Sequence, residues 1–426
     1  MMIKRFLFTL SFCCIALSYA QNIKYDDFFD EGSLRIDLIL SGNYENEQVT
    51  LYQLKHEPYY GGGTVHQLFF PDYGNYRILA KDETTGQLIF SKGFSPIFKE
   101  WQSTEEAKHR YRTFENTIQM PYPKHNIIVE VQARNRDGKF VNLFSEKISP
   151  QDMRIINEKP TPYKSLRYGN QHPKNAVDIA IISEGYTEAE IEKFNQDAKK
   201  FIDYMMKIPP FNAHRQDFNI YTIQAPSVES GTDIPGENIY KNTVLNSTFY
   251  TFGTPRYLTT LSLFKIADIA ANVPYDQIFV IVNTDRYGGG GFYNVMNLVS
   301  ADDSTSDKVF VHEFGHGFVG LGDEYYNNSG GTEDFYNLKV EPWEPNLTTL
   351  VNFKSKWAKH IDKNTPIPTP RIPMYKDKVG VFEGGGYTPK GIYSPALDCR
   401  MASNVPHGFC PVCTEAIEKT IEFYKR

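Results

Sequence analysis

Two histidines four residues apart, with a glutamate between them, stand at His312-Glu313-Phe314-Gly315-His316, and Asp323-Glu324-Tyr325 follow within one short turn of chain. On an α-helix, positions i and i+4 share a face about 6 Å apart along the axis, so both imidazoles can reach one cation. Glu313 lies beside that face. Its carboxylate can touch water on the metal without taking a ligand position, the requirement for a general base in zinc-assisted hydrolysis. The bare pentapeptide also arises on polar helix surfaces, where it means nothing. Here Val309, Phe310, Val311, Phe318, Val319 and Leu321 surround it with apolar positions at helical spacing, so the helix is partly buried and two inward histidines need a reason. The plain alternative is a pair of core histidines bonded to backbone carbonyls.

A third ligand has to come from outside this helix. Gly320 and Gly322 can adopt positive φ, end the helix and swing the chain back, which presents Asp323 to the metal. Glu324 competes for that place, and Glu333 would serve if a later helix supplied the ligand. The expected set is therefore Zn²⁺ held by His312, His316 and Asp323, with Glu313 as base. Downstream, Met401 could form an adaptable apolar floor under the imidazoles, with ordinary core packing as the alternative. Tyr387, Tyr325 and His407 are candidate donors to the oxyanion formed when a carbonyl is attacked. The run Tyr287-Gly288-Gly289-Gly290-Gly291 has no following lysine or helix start to make a phosphate cradle. Gly289 and Gly290 read better as an edge strand that pairs with an extended peptide, set against a plain flexible loop.

These residues need a scaffold, and 426 residues, 41% of them hydrophobic, are enough for two domains. Residues 1–20 read as a leader for export: Lys4 and Arg5 are basic, Phe6 to Leu17 is apolar, and Ser18-Tyr19-Ala20 offers a cut after Ala20. No later apolar run reaches the length of a membrane span. Residues 21–160 show short alternating strands such as Leu34 to Leu40, Tyr76 to Ala80 and Ile127 to Ala133, the pattern of a β-sandwich. Glu158 to Tyr163 reads as a linker. From 165 to 426 strands alternate with helices: Ala176 to Ile182, Phe218 to Ile223 and Gln277 to Val282 are apolar strands, and Thr187 with Glu190 can cap a helix running through Phe194, Phe201 and Met205. The fold class is multidomain, an N-terminal β-sandwich followed by an α/β catalytic domain whose metal helix packs beneath the sheet.

The formal charge is −6 at pH 7, two units more negative without Lys4 and Arg5, and is spread without long blocks, which argues against nucleic acid as a partner. Asp302, Asp303 and Asp307 lack the spacing of a calcium loop and read as solvated charge. Beyond the leader the only cysteines are Cys399, Cys410 and Cys413. In an exported protein one pair could form a disulfide and leave one thiol. Cys410-Pro411-Val412-Cys413 without a second CxxC is a weak zinc motif, so a structural role near the site is the expectation.

Several stretches together resemble the IgA-peptidase family of secreted bacterial zinc metalloendopeptidases. They are Asp178 to Thr187, Pro226 to Asp233, the Tyr287 glycine run, His312 to His316 with Asp323-Glu324-Tyr325, Phe382 to Tyr387, Cys399-Arg400-Met401 and Phe409 to Cys413. The resemblance implies a metzincin-like catalytic domain, His312, His316 and Asp323 as zinc ligands, Glu313 as base, Met401 in a Met-turn, and a protein or peptide substrate. The family's name comes from cleavage of immunoglobulin A, a host protein, and that specificity does not carry over with the motifs, so both stand only as candidates. One departure stands out. In metzincins the glycine comes three residues after the second histidine, whereas Gly320 comes four after His316, so the helix is expected to be one residue longer. Two rivals are a secreted binding protein whose zinc is structural, which a closed four-ligand site would favour, and a zinc amidase acting on cell-wall material.

Overall fold

The computed structural model describes residues 23–68, 72–326, 335–405 and 408–425. The expected leader, Glu333 and His407 lie outside the described residues. The first eight strands are β1 (Phe29–Gly42), β2 (Glu47–Glu57), β3 (Tyr76–Asp82), β4 (Leu88–Phe94), β5 (Arg112–Pro123), β6 (Ile127–Arg134), β7 (Phe140–Ile148) and β8 (Ile155–Ile156). They form two four-stranded sheets, ordered β5-β1-β2-β8 and β4-β3-β6-β7. Alternation explains how they close on each other. In β6, Ile127, Val129, Val131 and Ala133 are buried while the residues between them are not, so each strand offers one apolar face.

The next eight strands are β9 (Lys164–Tyr168), β10 (Val177–Glu184), β11 (Phe218–Gln224), β12 (Gln277–Val282), β13 (Gly289–Phe292), β14 (Met296–Ser300), β15 (Phe382–Gly385) and β16 (Thr388–Ser394). Six of them make a sheet ordered β13-β14-β12-β10-β11-β9, in which β10, β11, β12 and β14 are parallel and the two edge strands antiparallel. All eight residues of β10 are buried, as a central parallel strand covered on both faces requires. Strands β15 and β16 form a separate hairpin. Among the described residues four α-helices reach eight residues: α1 (Ile191–Met205), α2 (Leu263–Ala270), α3 (Ser306–Phe314) and α4 (Pro411–Lys425). The capping box expected at Thr187 and Glu190 is formed just ahead of α1. No helix of the described residues is long and apolar enough to cross a membrane.

Period-two alternation gives the central sheet two apolar faces with different neighbours. Ala180, Ile182, Val280, Val282 and Leu298 share a core with the N-terminal sheets and with Leu263, Ile266 and Ile269 of α2. Ile179, Ile181, Phe279, Ile281 and Val299 point the other way, into a core with α1, α3 and α4. The first interface is continuous, so the N-terminal β domain covers one side of the catalytic sheet. It also carries a charge network around the buried Arg35, which binds Asp37 at 2.7 Å, Glu57 at 3.2 Å and, across the interface, the partly exposed Asp268 of α2 at 2.7 Å. On the second face, Phe310 of α3 stacks on Phe279 of β12 at 3.9 Å between centroids and on Phe201 of α1 at 5.3 Å. These rings fix the height and rotation of α3 under the sheet, where the sequence placed the metal helix.

Candidate active site

Helix α3 ends at Phe314, and Gly315–Val319 continue it as a turn of π-helix. A π turn closes from i to i+5 and so takes up one residue more than an α turn. This is how the extra residue before Gly320 is absorbed. Gly320 ends the helix at φ +74°, with its N–H donating to the His316 carbonyl at 2.9 Å. Gly322 differs from expectation. Its φ is not positive, and its lack of a side chain matters because a Cβ there would come within 2.4 Å of Leu347 Cδ1.

The turn brings His312 Nε2, His316 Nε2 and Asp323 Oδ1 together, with separations of 3.0, 3.1 and 3.3 Å. Their hydrogens can be assigned from the partners behind them. His312 Nδ1 meets the Arg400 carbonyl at 3.0 Å and His316 Nδ1 meets the Leu321 carbonyl at 2.6 Å. A carbonyl only accepts, so each Nδ1 carries the hydrogen and each neutral imidazole turns a lone pair at Nε2 toward the other two atoms. Asp323 Oδ1 is buried and has no hydrogen-bond donor of its own. Three lone pairs facing one another repel unless a cation or proton lies among them. Donors about 2.1 Å from a tetrahedral ion sit about 3.4 Å apart, so this set fits zinc closely.

Electrostatics say the same for the metal-free protein. Burial pushes His316 down, but the Asp323 carboxylate overrides it and holds the imidazole up at about 9. Burial alone would raise Asp323, yet His316 and His312 hold it far below the ordinary carboxylate range. Burial raises Glu313, opposed by the two histidines. The Glu313 carboxylate lies within metal-ligand range of both imidazoles and against the edge strand, where a Cβ on Gly289 would come within 2.8 Å of its Oε1. Gly289 and Gly291 of β13, but not Gly290, are therefore required from below. At Gly291 a Cβ would come within 2.4 Å of the Glu313 carbonyl and 2.8 Å of His316 Cβ.

The glycine run is an edge strand, as read from the sequence, but its outer side is only partly free. Tyr257 pairs with Gly289, and the Ser95 N–H of the N-terminal β domain donates to the Tyr293 carbonyl at 2.9 Å. This leaves Gly290 to Phe292 as the stretch a peptide could join. Met401 is fully buried, with its sulfur 2.7 Å from where a Cβ on Gly315 would stand, so it packs against the helix between the two histidines.

Asp323 to Tyr325 form an extended segment held on both sides. The N–H groups of Gly386 and Tyr387 donate to the carbonyls of Asp323 and Tyr325, while the Glu324 N–H donates to the Met401 carbonyl. Adjacent side chains of an extended chain point opposite ways. Asp323 thus faces the histidines, and Glu324 turns to Cys413 Sγ at 3.1 Å. The Tyr387 hydroxyl donates to Asp323 Oδ2, which places it behind the carboxylate and away from any oxyanion in this arrangement. Tyr325 is partly exposed and packs edge-on against Tyr387 at 5.5 Å.

Sequence reasoning missed the carbonyls of Arg400 and Leu321, because backbone acceptors leave no side-chain signal. It also missed Glu100, which accepts from the Tyr257 hydroxyl and whose charge is felt at His316, Asp323 and Glu313. Burial, opposed by the Tyr257 hydrogen bond, raises Glu100 to about 7. Asp302 and Asp303 are engaged by Lys193 at 2.9 Å and by the Thr305 N–H at 2.8 Å, as ordinary loop charge is.

Against known proteins, the family model described as IgA Peptidase M64 matches residues 166–375 and 371–421, and that of the Peptidase M64 N-terminus matches residues 24–145. No curated protein matches the chain.

Proposed function

The chain belongs to the IgA peptidase M64 family, and from that premise we propose that it is an exported zinc endopeptidase with a metzincin-like catalytic domain. A peptidase and its protein substrate follow from the family. The metal, the residue roles, the compartment and the substrate are this proposal's own. The observation that carries it is the convergence of three lone pairs, two from imidazoles with fixed tautomers and one from the buried Asp323 carboxylate, beside a second carboxylate, that of Glu313.

His312, His316 and Asp323 would hold the zinc, which when bound acidifies water and polarises a carbonyl. The carbonyls of Arg400 and Leu321 keep the two rings in the ligating tautomer, and Tyr387 orients Asp323. Glu313 accepts the proton of the attacking water and passes it to the departing amine. It is buried, and burial raises it above the ordinary carboxylate range, the direction that helps a base return its proton. Gly290 to Phe292 would receive the peptide as an added strand beside the glycines that lie against Glu313, and Met401 supports the helix from below. The substrate is a protein or peptide, with host proteins, immunoglobulin A among them, as candidates.

The test is Glu313→Gln. It should keep the zinc, measured by elemental mass spectrometry, while cleavage of a mixed protein library falls by about 100- to 10,000-fold. Cleavage at the native rate would remove Glu313 from this role. Hydrolysis of cell-wall peptides alone, with proteins untouched, would replace the substrate class.

A further inference from the structure

Behind the histidine cluster lies a second group of donors that the reaction does not use. The ligand atoms of Glu324, Cys399, Cys410 and Cys413 lie within 4.8 Å of one another, and all four residues are buried. We propose that they form a second zinc site, closed and structural, with three thiolates and one carboxylate as its ligands.

Distances argue for an ion in preference to a disulfide. Cys399 Sγ and Cys413 Sγ stand 3.8 Å apart, far beyond a sulfur–sulfur bond of about 2.05 Å. Around a tetrahedral ion with zinc–sulfur bonds of about 2.3 Å, two sulfurs sit about 3.8 Å apart. A disulfide between these two would strand Cys410 and the Glu324 carboxylate in the same buried space. Glu324 Oε2 has no hydrogen-bond partner there, a buried carboxylate oxygen that a cation would satisfy.

The surroundings are built to receive thiolates. The N–H of Cys410 points to Cys399 Sγ at 3.4 Å and that of Cys413 to Cys410 Sγ at 3.5 Å. Cys410 and Cys413 flank the start of α4, whose first N–H groups favour negative charge. Asn346 donates to Glu324 Oε1 at 2.9 Å and fixes that side chain. Four protein ligands and full burial leave no place for water or substrate, which is the character of a structural zinc. Three sulfurs and an oxygen also select zinc over calcium or magnesium, which prefer oxygen alone. Binding the ion releases the three thiol protons.

Placement gives the site a purpose. Glu324 follows Asp323 directly, and Cys399 precedes Arg400, whose carbonyl sets the His312 tautomer. An ion here would pin both neighbours of the reactive cluster to α4.

The test is metal content by elemental mass spectrometry with X-ray absorption on residues 21–426, whose only cysteines are Cys399, Cys410 and Cys413, zinc being the probe. Wild type should hold two zinc ions per chain, and His312→Ala/His316→Ala should keep one whose absorption shows sulfur at about 2.3 Å. Because Cys413→Ser can fail to fold, thiols are also counted in the wild type, with the expectation of three that react only after denaturation with chelator. A histidine variant without zinc, a shell of only nitrogen and oxygen, or a count of one thiol would each overturn the second site. Two outcomes separate it from the peptidase reading: zinc kept by the histidine variant alongside an inactive wild type sinks only the latter, and an active wild type with a single zinc sinks only the former.

Discussion

Asp323 and Glu324 are adjacent in the chain but serve opposite kinds of cluster. The histidine cluster brings three donor atoms, and the side chains of His312 and His316 keep 13% and 16% of their surface exposed. The cysteine cluster brings four donors, with Cys399 and Cys413 wholly buried. An incomplete, reachable shell is where a substrate can arrive, and a complete, sealed one can only brace. Ligand count and access separate a reactive site from a structural one, and one residue's step along the segment from Asp323 to Glu324 moves the chain from the first to the second.

The sharpest way to break this contrast is to remove each carboxylate in turn. Asp323→Ala should cost at least about a hundredfold in cleavage, through lost metal at the histidines. Glu324→Ala should leave the histidine donors in place and act chiefly on thermal stability. If the two variants lost activity equally at full metal content, the division of roles would be wrong. Gly289→Ala comes next, because its Cβ would stand 2.7 Å from Val309 Cγ1 and 2.8 Å from Glu313 Oε1. It should lower kcat about 10- to 100-fold while zinc content stays constant. A shift of similar size, in metal affinity and not in rate, is expected of Tyr387→Phe, which removes the donor behind Asp323 and should weaken metal binding about 10- to 100-fold, read by competition with a chelating dye.

The gentlest prediction concerns pH. Glu100 is raised from 4.5 to about 7, chiefly by burial, so its contribution to stability is full below about 4.5 and is lost as pH rises through about 7. Thermal melts from pH 4 to about 8 should show this decline in the wild type and a flatter profile in Glu100→Gln. An identical slope in both would assign the pH dependence elsewhere.

Much of this was legible in the sequence, for identifiable reasons. The apolar spacing around His312 and His316 marked a buried helix, and the alternating and continuous apolar runs marked the outer and central strands. The extra residue before Gly320 was countable, but its conversion into a π turn was not, because α and π turns differ only in which carbonyl each N–H chooses. The choice between Asp323 and Glu324 depends on which way an extended segment faces, and that is set by the carbonyls and N–H groups of Met401, Gly386 and Tyr387 far along the chain. Glu324 joining Cys399, Cys410 and Cys413 left no local trace, since its partners lie 75 to 89 residues away. The glycines of β13 were visible, though their cause, the helix pressed against them, was not.

The carbonyl that fixes the hydrogen on His312 belongs to Arg400, 88 residues further on. A ribosome adding about 5–20 residues per second needs about 4–18 seconds to cover that distance. Throughout this interval a nascent chain displays both histidines while lacking the group that turns one of them toward a metal. Translation thus imposes a delay between writing the motif and completing the site, and a chain cut short within that stretch carries the signature of a peptidase without its means.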